Sequence, residues 1–153
     1  NLAVIFDDTA SDKTVNITKA DVTPLSVLFN SGTYTLGGSY KIGGSAPVTV
    51  ASGATLKLGS SNVLPDGAGA GNVTINGTLD LNGNTQAFRR LTQFTSNAYA
   101  NGAGTVTNSS TSAATLLVVQ DNTATTFSGS ITATVQEVLP NGHLVVVGEN
   151  RPA

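Results

Sequence analysis

The chain has 153 residues, a formal net charge of −2 and only 10% charged residues, well below the roughly 25% of ordinary soluble domains. Its seven Lys and Arg residues are too few for a nucleic-acid-binding surface, and the absence of Cys excludes disulfides and thiolate metal sites. No apolar run approaches the roughly 20 residues that a membrane-spanning helix needs. Thr, Ser, Asn and Gly replace the missing charge, and they favour strands and tight turns.

The start of the sequence suggests an exported protein. It begins at Asn1, without an initiator Met and without a charged segment followed by an apolar one. We interpret it as a mature or excised piece of an exported protein; the alternative is that a leader or tag has been left out. The expected location is the extracellular space or a bacterial cell surface.

Short segments with alternating apolar and polar residues recur along the whole chain, separated by Gly, Asn, Ser or Pro. A period of two predicts half-buried strands. The predicted strands are Leu2–Phe6, Thr14–Ile17, Leu25–Phe29, Thr33–Leu36, Val48–Val50, Thr55–Leu58, Val73–Ile75, Thr78–Leu81, Thr105–Thr107, Thr115–Val119, Ile131–Leu139 and His143–Val147. Ala87–Phe94 carries apolar residues at intervals of three, but Thr92 and the flanking threonines weaken a helix there. The chain is therefore predicted to be all-β.

Three of these segments align as an internal repeat. Each has an apolar strand end, a small polar turn with Gly, and then Thr, an apolar residue, any residue and Leu. Thr33, Thr55 and Thr78 mark the repeat, and the two steps between them are nearly equal in length. A step of this length is typical of one turn of a β-solenoid, in which no single turn buries its apolar interior alone. The alternative is a set of hairpins in a sandwich or meander.

The repeat predicts which side chains share a column along the solenoid. Three sets of residues are expected to stack on successive turns. They are Tyr34, Leu56 and Leu79 pointing inward, Leu36, Leu58 and Leu81 pointing inward, and Thr35, Lys57 and Asp80 pointing outward. Gly32, Gly53 and Gly77 fall where the chain must turn sharply, and we expect φ > 0 there.

These residues, with several further segments, resemble a known family. The segments are Val4–Ala10, Thr14–Ile17, Leu25–Phe29, Thr33–Leu36, Ala54–Leu58, Gly77–Asn84, Gly102–Asn108, Ala114–Val118 and Thr126–Gly129. In this order they are similar to the autotransporter-associated β-strand repeats of bacterial surface proteins, over residues 1–132. The resemblance implies a right-handed parallel β-helix displayed outside the cell, without cofactors. Residues 84–102 interrupt the pattern and are predicted to form a loop or a bulged turn.

Residues 133–153 form a second unit of different character. Asn141–Gly142 lies between two apolar runs, which is a strong signal for a β-hairpin. The short segment Ala133–Glu149 is similar to a β-hairpin of the flagellar L-ring protein. We interpret the similarity as convergence on hairpin chemistry, with kinship as the alternative.

Residues that could carry chemistry are few and scattered. Asp7, Asp8 and Asp12 suggest a Ca²⁺ site, but no calcium-binding nonapeptide accompanies them, so we favour a solvated turn. Asp80 lacks the second carboxylate that glycoside cleavage requires. His143 has no neighbouring nucleophile or acid, and no Lys or helix follows the glycines of Asp66–Asn72 as in a phosphate loop. Four glycosylation sequons begin at Asn16, Asn72, Asn76 and Asn108, as expected by chance in so Asn- and Thr-rich a chain.

The function expected from these features is structural or adhesive rather than enzymatic. We predict no catalytic residue, no cofactor and no metal. The alternative is a self-assembling extracellular fibre subunit whose sticky ends are Leu2–Phe6 and Ile131–Val147. A third class, a carbohydrate-active β-helix of the pectin-lyase type, needs acidic or basic clusters and aromatic platforms, whereas aromatic residues make up 5% of the chain. The expected partners are other copies of the chain and a surface or glycan ligand, not nucleic acid.

Overall fold

The fold is a β-solenoid of about 5 turns, seen in a computed structural model. The structure describes residues 1–89, 91–92, 104–118, 127, 129–132, 134–138 and 144–148, the side chains of 91–92, 134–138 and 144–148 excepted. Within these ranges every regular element is a strand, and no helix occurs. The all-β prediction is therefore confirmed.

The strands are short, as the frequent Gly and Asn residues predict. They are β1 (Ala3–Phe6), β2 (Thr14–Ile17), β3 (Ser26–Phe29), β4 (Thr33–Gly38), β5 (Val48–Val50), β6 (Thr55–Leu58), β7 (Val73–Ile75), β8 (Thr78–Asp80), β9 (Thr85–Phe88), β10 (Leu91–Thr92), β11 (Thr105–Thr107), β12 (Ala114–Val118), β13 (Ser130–Ile131), β14 (Thr134–Val138) and β15 (Leu144–Gly148).

The described strands lie in three sheets. The first sheet has the order β1-β3-β5-β7-β10 and the second β13-β11-β8-β6-β4-β2. The third has the order β14-β15-β12-β9. All pairs in the first two sheets are parallel, because each strand pairs with its equivalent one turn later.

The strand register confirms the repeat. Thr33 pairs with Thr55 and Thr55 with Thr78, so the predicted step is the length of one turn. Tyr34, Leu56 and Leu79 share one column and are buried. Leu36, Leu58 and Leu81 are also buried. The alternative of a sandwich or meander of hairpins is therefore wrong.

The first sheet adds two further columns to the core. Val4, Val27, Val48 and Val73 stack in one column, and Phe6, Phe29, Val50 and Ile75 stack in the other. The rings of Phe6 and Phe29 are stacked with their centroids 4.8 Å apart. A fully buried side chain of this kind contributes roughly 1.5–3 kcal/mol to folding, so these columns hold the turns together.

Of the two alternatives predicted for residues 84–102, a loop or a bulged turn, the loop is wrong for the first part of the segment. β9 and β10 lie there, so residues 85–88 and 91–92 contribute strands to the stack. The side chain of Gln86 is fully buried, its Oε1 accepts from Leu64 N at 3.2 Å and its Nε2 donates to Ala87 O at 2.7 Å. Gln86 thus takes an inward position because its amide is hydrogen-bonded, and the apolar–polar pattern of the sequence does not predict this position. Residues 93–103 are outside the described ranges.

The predicted C-terminal hairpin is present. β14 and β15 pair antiparallel, with an irregularity between Val135 and Glu137. β15 also pairs antiparallel with β12, so strand pairing joins the hairpin to the solenoid across residue 132. The turn at Asn141–Gly142 lies outside the described residues.

Glycines allow two different kinds of corner. Gly32 and Gly53 have φ of 77° and 83°, as expected for sharp turns. Gly77 is not left-handed, so the prediction of φ > 0 is wrong there. A Cβ on Gly77 would collide with the carbonyl oxygens of Ala51 and Ala54. This glycine is therefore required because successive turns approach each other closely.

The substitution Gly77→Ala will destabilise the protein by about 3 kcal/mol, the upper end of the usual cost of overpacking, because the new methyl group meets rigid backbone. Gly53→Ala is the matched control, since its Cβ meets nothing within 4 Å and only the left-handed φ is penalised, by about 1 kcal/mol. Urea denaturation followed by circular dichroism measures both. Equal losses for the two variants would contradict the close approach at Gly77.

Candidate interaction surface at the first turn

The first turn of the solenoid leaves apolar side chains uncovered. β1 and β2 are the outermost strands of their sheets, and neither has a partner on its outer side among the described residues. Leu2 is 82% exposed, and Ile5, Val4 and Val22 are also exposed. Val4 occupies the same column as Val27, which is buried. The columns of the core therefore continue to the surface at this end.

A cavity of about 690 Å³ opens at the same end. Its walls are mostly apolar and include Val4, Phe6, Val15, Ile17, Val22 and Ile42. Leu2 lies at the cavity, whereas Leu25, which is also exposed and lies one turn further in, does not line it. The cavity is the mouth of the solenoid interior, which later turns fill with side chains.

Polar residues cover one corner of this end. Thr14 pairs with Thr35, so Lys13 takes the position over Tyr34. The ammonium of Lys13 lies 5.9 Å from the centroid of the Tyr34 ring and donates a hydrogen bond to Ala10 O at 2.6 Å. The Tyr34 hydroxyl donates to Asp7 O at 2.6 Å. The segment between β1 and β2 is thus a partial cap, which leaves β1 and the cavity open.

The geometry of this end suits the binding of an extended segment. An outermost strand offers a row of backbone N–H and C=O groups, and natural proteins normally cover such an edge. Added strands gain affinity from backbone hydrogen bonds and specificity from pockets for alternate side chains. The first turn provides both the edge of β1 and an apolar pocket beside it.

The carboxylates of Asp7, Asp8 and Asp12 are not brought together. The Asp7 carboxylate accepts hydrogen bonds from Thr9, chiefly from its hydroxyl and also from its backbone N–H, and these lower the pKa of Asp7. Asp12 accepts from Thr14 N at 2.8 Å. Within the described ranges no three His, Cys, Asp or Glu residues are close enough to share a metal ion. The carboxylates of Asp7 and Asp12 therefore serve local turns.

Asp80 lies in the outward row with Lys57, as predicted, but it is only 6% exposed. Its carboxylate accepts hydrogen bonds from Asn82 N at 3.0 Å, Ser109 N at 2.9 Å and Ser109 Oγ at 2.5 Å. The Lys57 ammonium lies 3.8 Å away. The next turn therefore covers this carboxylate, and its oxygens link β8 to the segment that follows β11.

Asparagines extend this polar corner, although the sequence pattern did not predict them. Asn82 and Asn84 each donate from Nδ2 to Leu58 O, at 2.9 and 3.1 Å. Asn108 Oδ1 accepts from Gly83 N at 2.8 Å. The sequence signal that could have identified these asparagines is the polar cluster that follows β8 and the one that follows β11. Their amides satisfy backbone groups where strands end, so this corner is structural.

The remaining candidates from the sequence are a glycine-rich segment, His143 and the sequon asparagines. In the segment Asp66–Asn72, Gly67 and Gly69 have φ of 82° and 76°, so it forms a glycine corner. His143 lies outside the described residues. Two of the sequon asparagines, Asn76 and Asn108, are buried. No helix in the described part of the chain is long and apolar enough to span a membrane.

Comparison with known proteins gives one short similarity. The chain is 62% identical over 32 residues to the flagellar L-ring protein of Methylobacillus flagellatus, covering 21% of this chain and 14% of that protein. No protein-family model matches the chain, so membership of the autotransporter repeat family is not shown. No solved structure matches it. The β-solenoid that the resemblance implied is nevertheless present.

Proposed function

We propose that this chain is a structural β-solenoid of a bacterial surface or secreted protein, without catalytic activity, which associates through its first turn. The observation that carries the proposal is the continuation of the core columns to an uncovered end. Val4 and Phe6 extend the columns of Val27 and Phe29, while the outer edge of β1 has no partner among the described residues.

The proposed occupant of this end is a second copy of the chain. The contact between turns is the interface that builds the whole solenoid, and at β1 the same columns and the same backbone edge are presented to solvent. Burial of apolar area is the main driving force of association. A second copy presents the same apolar surface and is always present at the same concentration.

Two first turns are better matched to each other than the two ends of one molecule. At the far end, the antiparallel hairpin strands β15 and β14 extend the third sheet. At the near end, Lys13 takes the column position over Tyr34. A further turn stacked on this end would therefore meet a charged side chain in that column. Contact between two first turns needs only β1 and the cavity, and a twofold arrangement places this same surface on both sides of the contact.

A head-to-tail fibre is the second candidate. β10 and β13 are the last strands of the first two sheets, so among the described residues these sheets have an outer edge at both ends. Ile131 continues the column of Tyr34, Leu56, Leu79 and Val106 and is exposed. Such a heterologous contact between unlike ends produces filaments unless it closes into a ring.

The similarity to a flagellar L-ring protein supports an envelope or surface location. The low charge and the resemblance to repeats of bacterial surface proteins support the same location. The absence of a catalytic role is supported by the surroundings of Asp80, whose oxygens accept hydrogen bonds from Asn82 in the same turn and from Ser109 in the next.

Leu2→Asp will weaken dimer formation by at least about tenfold, because it places a charge at the mouth of an apolar cavity that the partner must desolvate. Leu2 is highly exposed, so the fold will be unaffected. Sedimentation velocity over a range of concentrations measures the dissociation constant. Leu25→Asp is the matched control, since Leu25 is 64% exposed but does not line the cavity.

A chain that stays monomeric at all concentrations contradicts association. Filaments in negative-stain images, in place of dimers, contradict contact between first turns and favour the fibre. Equal effects of the Leu2 and Leu25 substitutions would show that the cavity is not part of the interface.

A further inference from the structure

A second concave surface lies on the outside of the solenoid, and it shares no lining residue with the cavity at the open end. It is a groove of about 370 Å³, to which three successive turns contribute. Asp21 comes from the first turn, Tyr40 and Lys41 from the second, and Asn62 and Asp66 from the third. Stacked turns repeat at about 4.8 Å, so the groove presents polar groups at regular intervals along the solenoid axis.

Both carboxylates of the groove are hydrogen-bonded to Lys41, one to its ammonium and one to its backbone N–H. The Lys41 ammonium is 2.5 Å from Asp66 Oδ1, and this hydrogen bond raises the pKa of Lys41. Asp21 Oδ1 accepts from Lys41 N at 3.1 Å. Donors and acceptors therefore stand side by side in fixed positions before any ligand arrives, which lowers the entropic cost of binding.

Two further side chains complete the groove. Asn62 has a left-handed backbone with φ of 52°, and its Oδ1 accepts from Ala87 N at 3.0 Å, which orients the amide. Tyr40 is 41% exposed, whereas Phe29, Tyr34 and Phe88 are buried. It supplies an apolar face at the rim of an otherwise polar surface.

The chemistry of the lining selects the class of ligand. Lys41 is already paired with Asp66, and Asp21 leaves the groove with an excess of negative charge, which disfavours an anion. Ser39, Ser61 and Asn62 make the walls too polar for an aliphatic ligand. A hydroxyl group both donates and accepts, so a neutral molecule with many hydroxyl groups can use the carboxylates, the amide and the ammonium together.

We propose that this groove binds a neutral saccharide, with Tyr40 against the C–H face of a sugar ring and with Asp21, Asn62 and Asp66 bonded to its hydroxyl groups. The volume lies within the usual range of small-molecule sites. A saccharide bound here would be a ligand for the surface protein of the proposed function. The inference rests on that proposed function only for the biological source of the saccharide.

The test is binding of purified neutral oligosaccharides, screened on a glycan array and then measured by isothermal titration calorimetry. We expect at least one of them to bind, and Tyr40→Ala to weaken its affinity by about tenfold or more through loss of the stacking surface. Tyr40→Phe keeps the ring and will remain within about threefold of the wild-type affinity. Because Tyr40 is exposed, neither change is expected to disturb the fold.

Leu2→Asp separates this inference from the proposed association. It alters the open end and not the groove, so saccharide affinity will be unchanged in that variant. No binding of any oligosaccharide at millimolar concentration would overturn the proposal. So would binding that Tyr40→Ala leaves intact, whatever the oligomeric state proves to be.

Discussion

Replacing Leu58 with Asp will unfold the solenoid. Leu58 is fully buried and stacks on Leu36 in the second sheet. An unpaired buried charge costs several kcal/mol, on top of the roughly 2–5 kcal/mol that removal of a buried leucine side chain costs. Most domains have a stability of only about 5–15 kcal/mol. Circular dichroism will show loss of the β signal, and Leu58→Ala will remain folded with a lower urea midpoint.

Thr33→Asp is the control for this experiment. Thr33 begins β4 in the same sheet, but its side chain is exposed. It will change the stability by less than about 0.5 kcal/mol, as is usual for surface substitutions. A Leu58→Asp variant with a cooperative transition near that of the wild type would show that the column of leucines is not a packed core.

Asp80→Ala will lower the free energy of unfolding by about 3 kcal/mol, although Asp80 lies in an outward row. Hydrogen bonds to charged groups contribute roughly 1.5–3 kcal/mol each, but some of the donors released by the substitution will bond to water instead. The carboxylate accepts three hydrogen bonds, two from Ser109 and one from Asn82. Asp80→Asn keeps one acceptor oxygen and will lose about half as much. Urea denaturation measures both.

Lys57→Met isolates the contribution of the ion pair to this corner. The Lys57 ammonium is 3.8 Å from Asp80 Oδ2, and the Lys57 side chain is partly exposed. Because the ammonium of Lys57 remains accessible to water and lies 3.8 Å from the carboxylate, we expect the pair to contribute less than about 1 kcal/mol. Similar losses for Lys57→Met and Asp80→Ala would mean that Coulombic attraction, and not hydrogen bonding, stabilises the corner.

The repeating part of the fold could be predicted because its pattern is local in each turn. A run of Thr, apolar residue, any residue and Leu predicts a strand with one buried face, and its recurrence from Thr33 to Thr55 to Thr78 predicts the stacking. The register of Tyr34, Leu56 and Leu79 follows from these two facts alone. The hairpin was equally local, since Asn141–Gly142 separates two apolar runs.

The exceptions to the pattern could not be predicted in this way. Gln86 takes an inward position because Leu64, which lies one turn earlier, offers its backbone groups. Gly77 was expected to adopt a left-handed φ, but it is needed for the close approach of Ala54. In both cases the deciding partner lies one turn away, and nothing near the residue in sequence identifies it.

The all-β class, the length of a turn, the inward columns and the hairpin follow from the amino-acid sequence, because alternation and repetition are properties of the chain alone. What each end and each corner can do depends instead on the folded molecule. Lys13 covers Tyr34 while the cavity beside β1 stays open, and Lys41 meets Asp66 across a groove. These features depend on which turn lies above which, and that depends on contacts between residues a full turn apart in the chain.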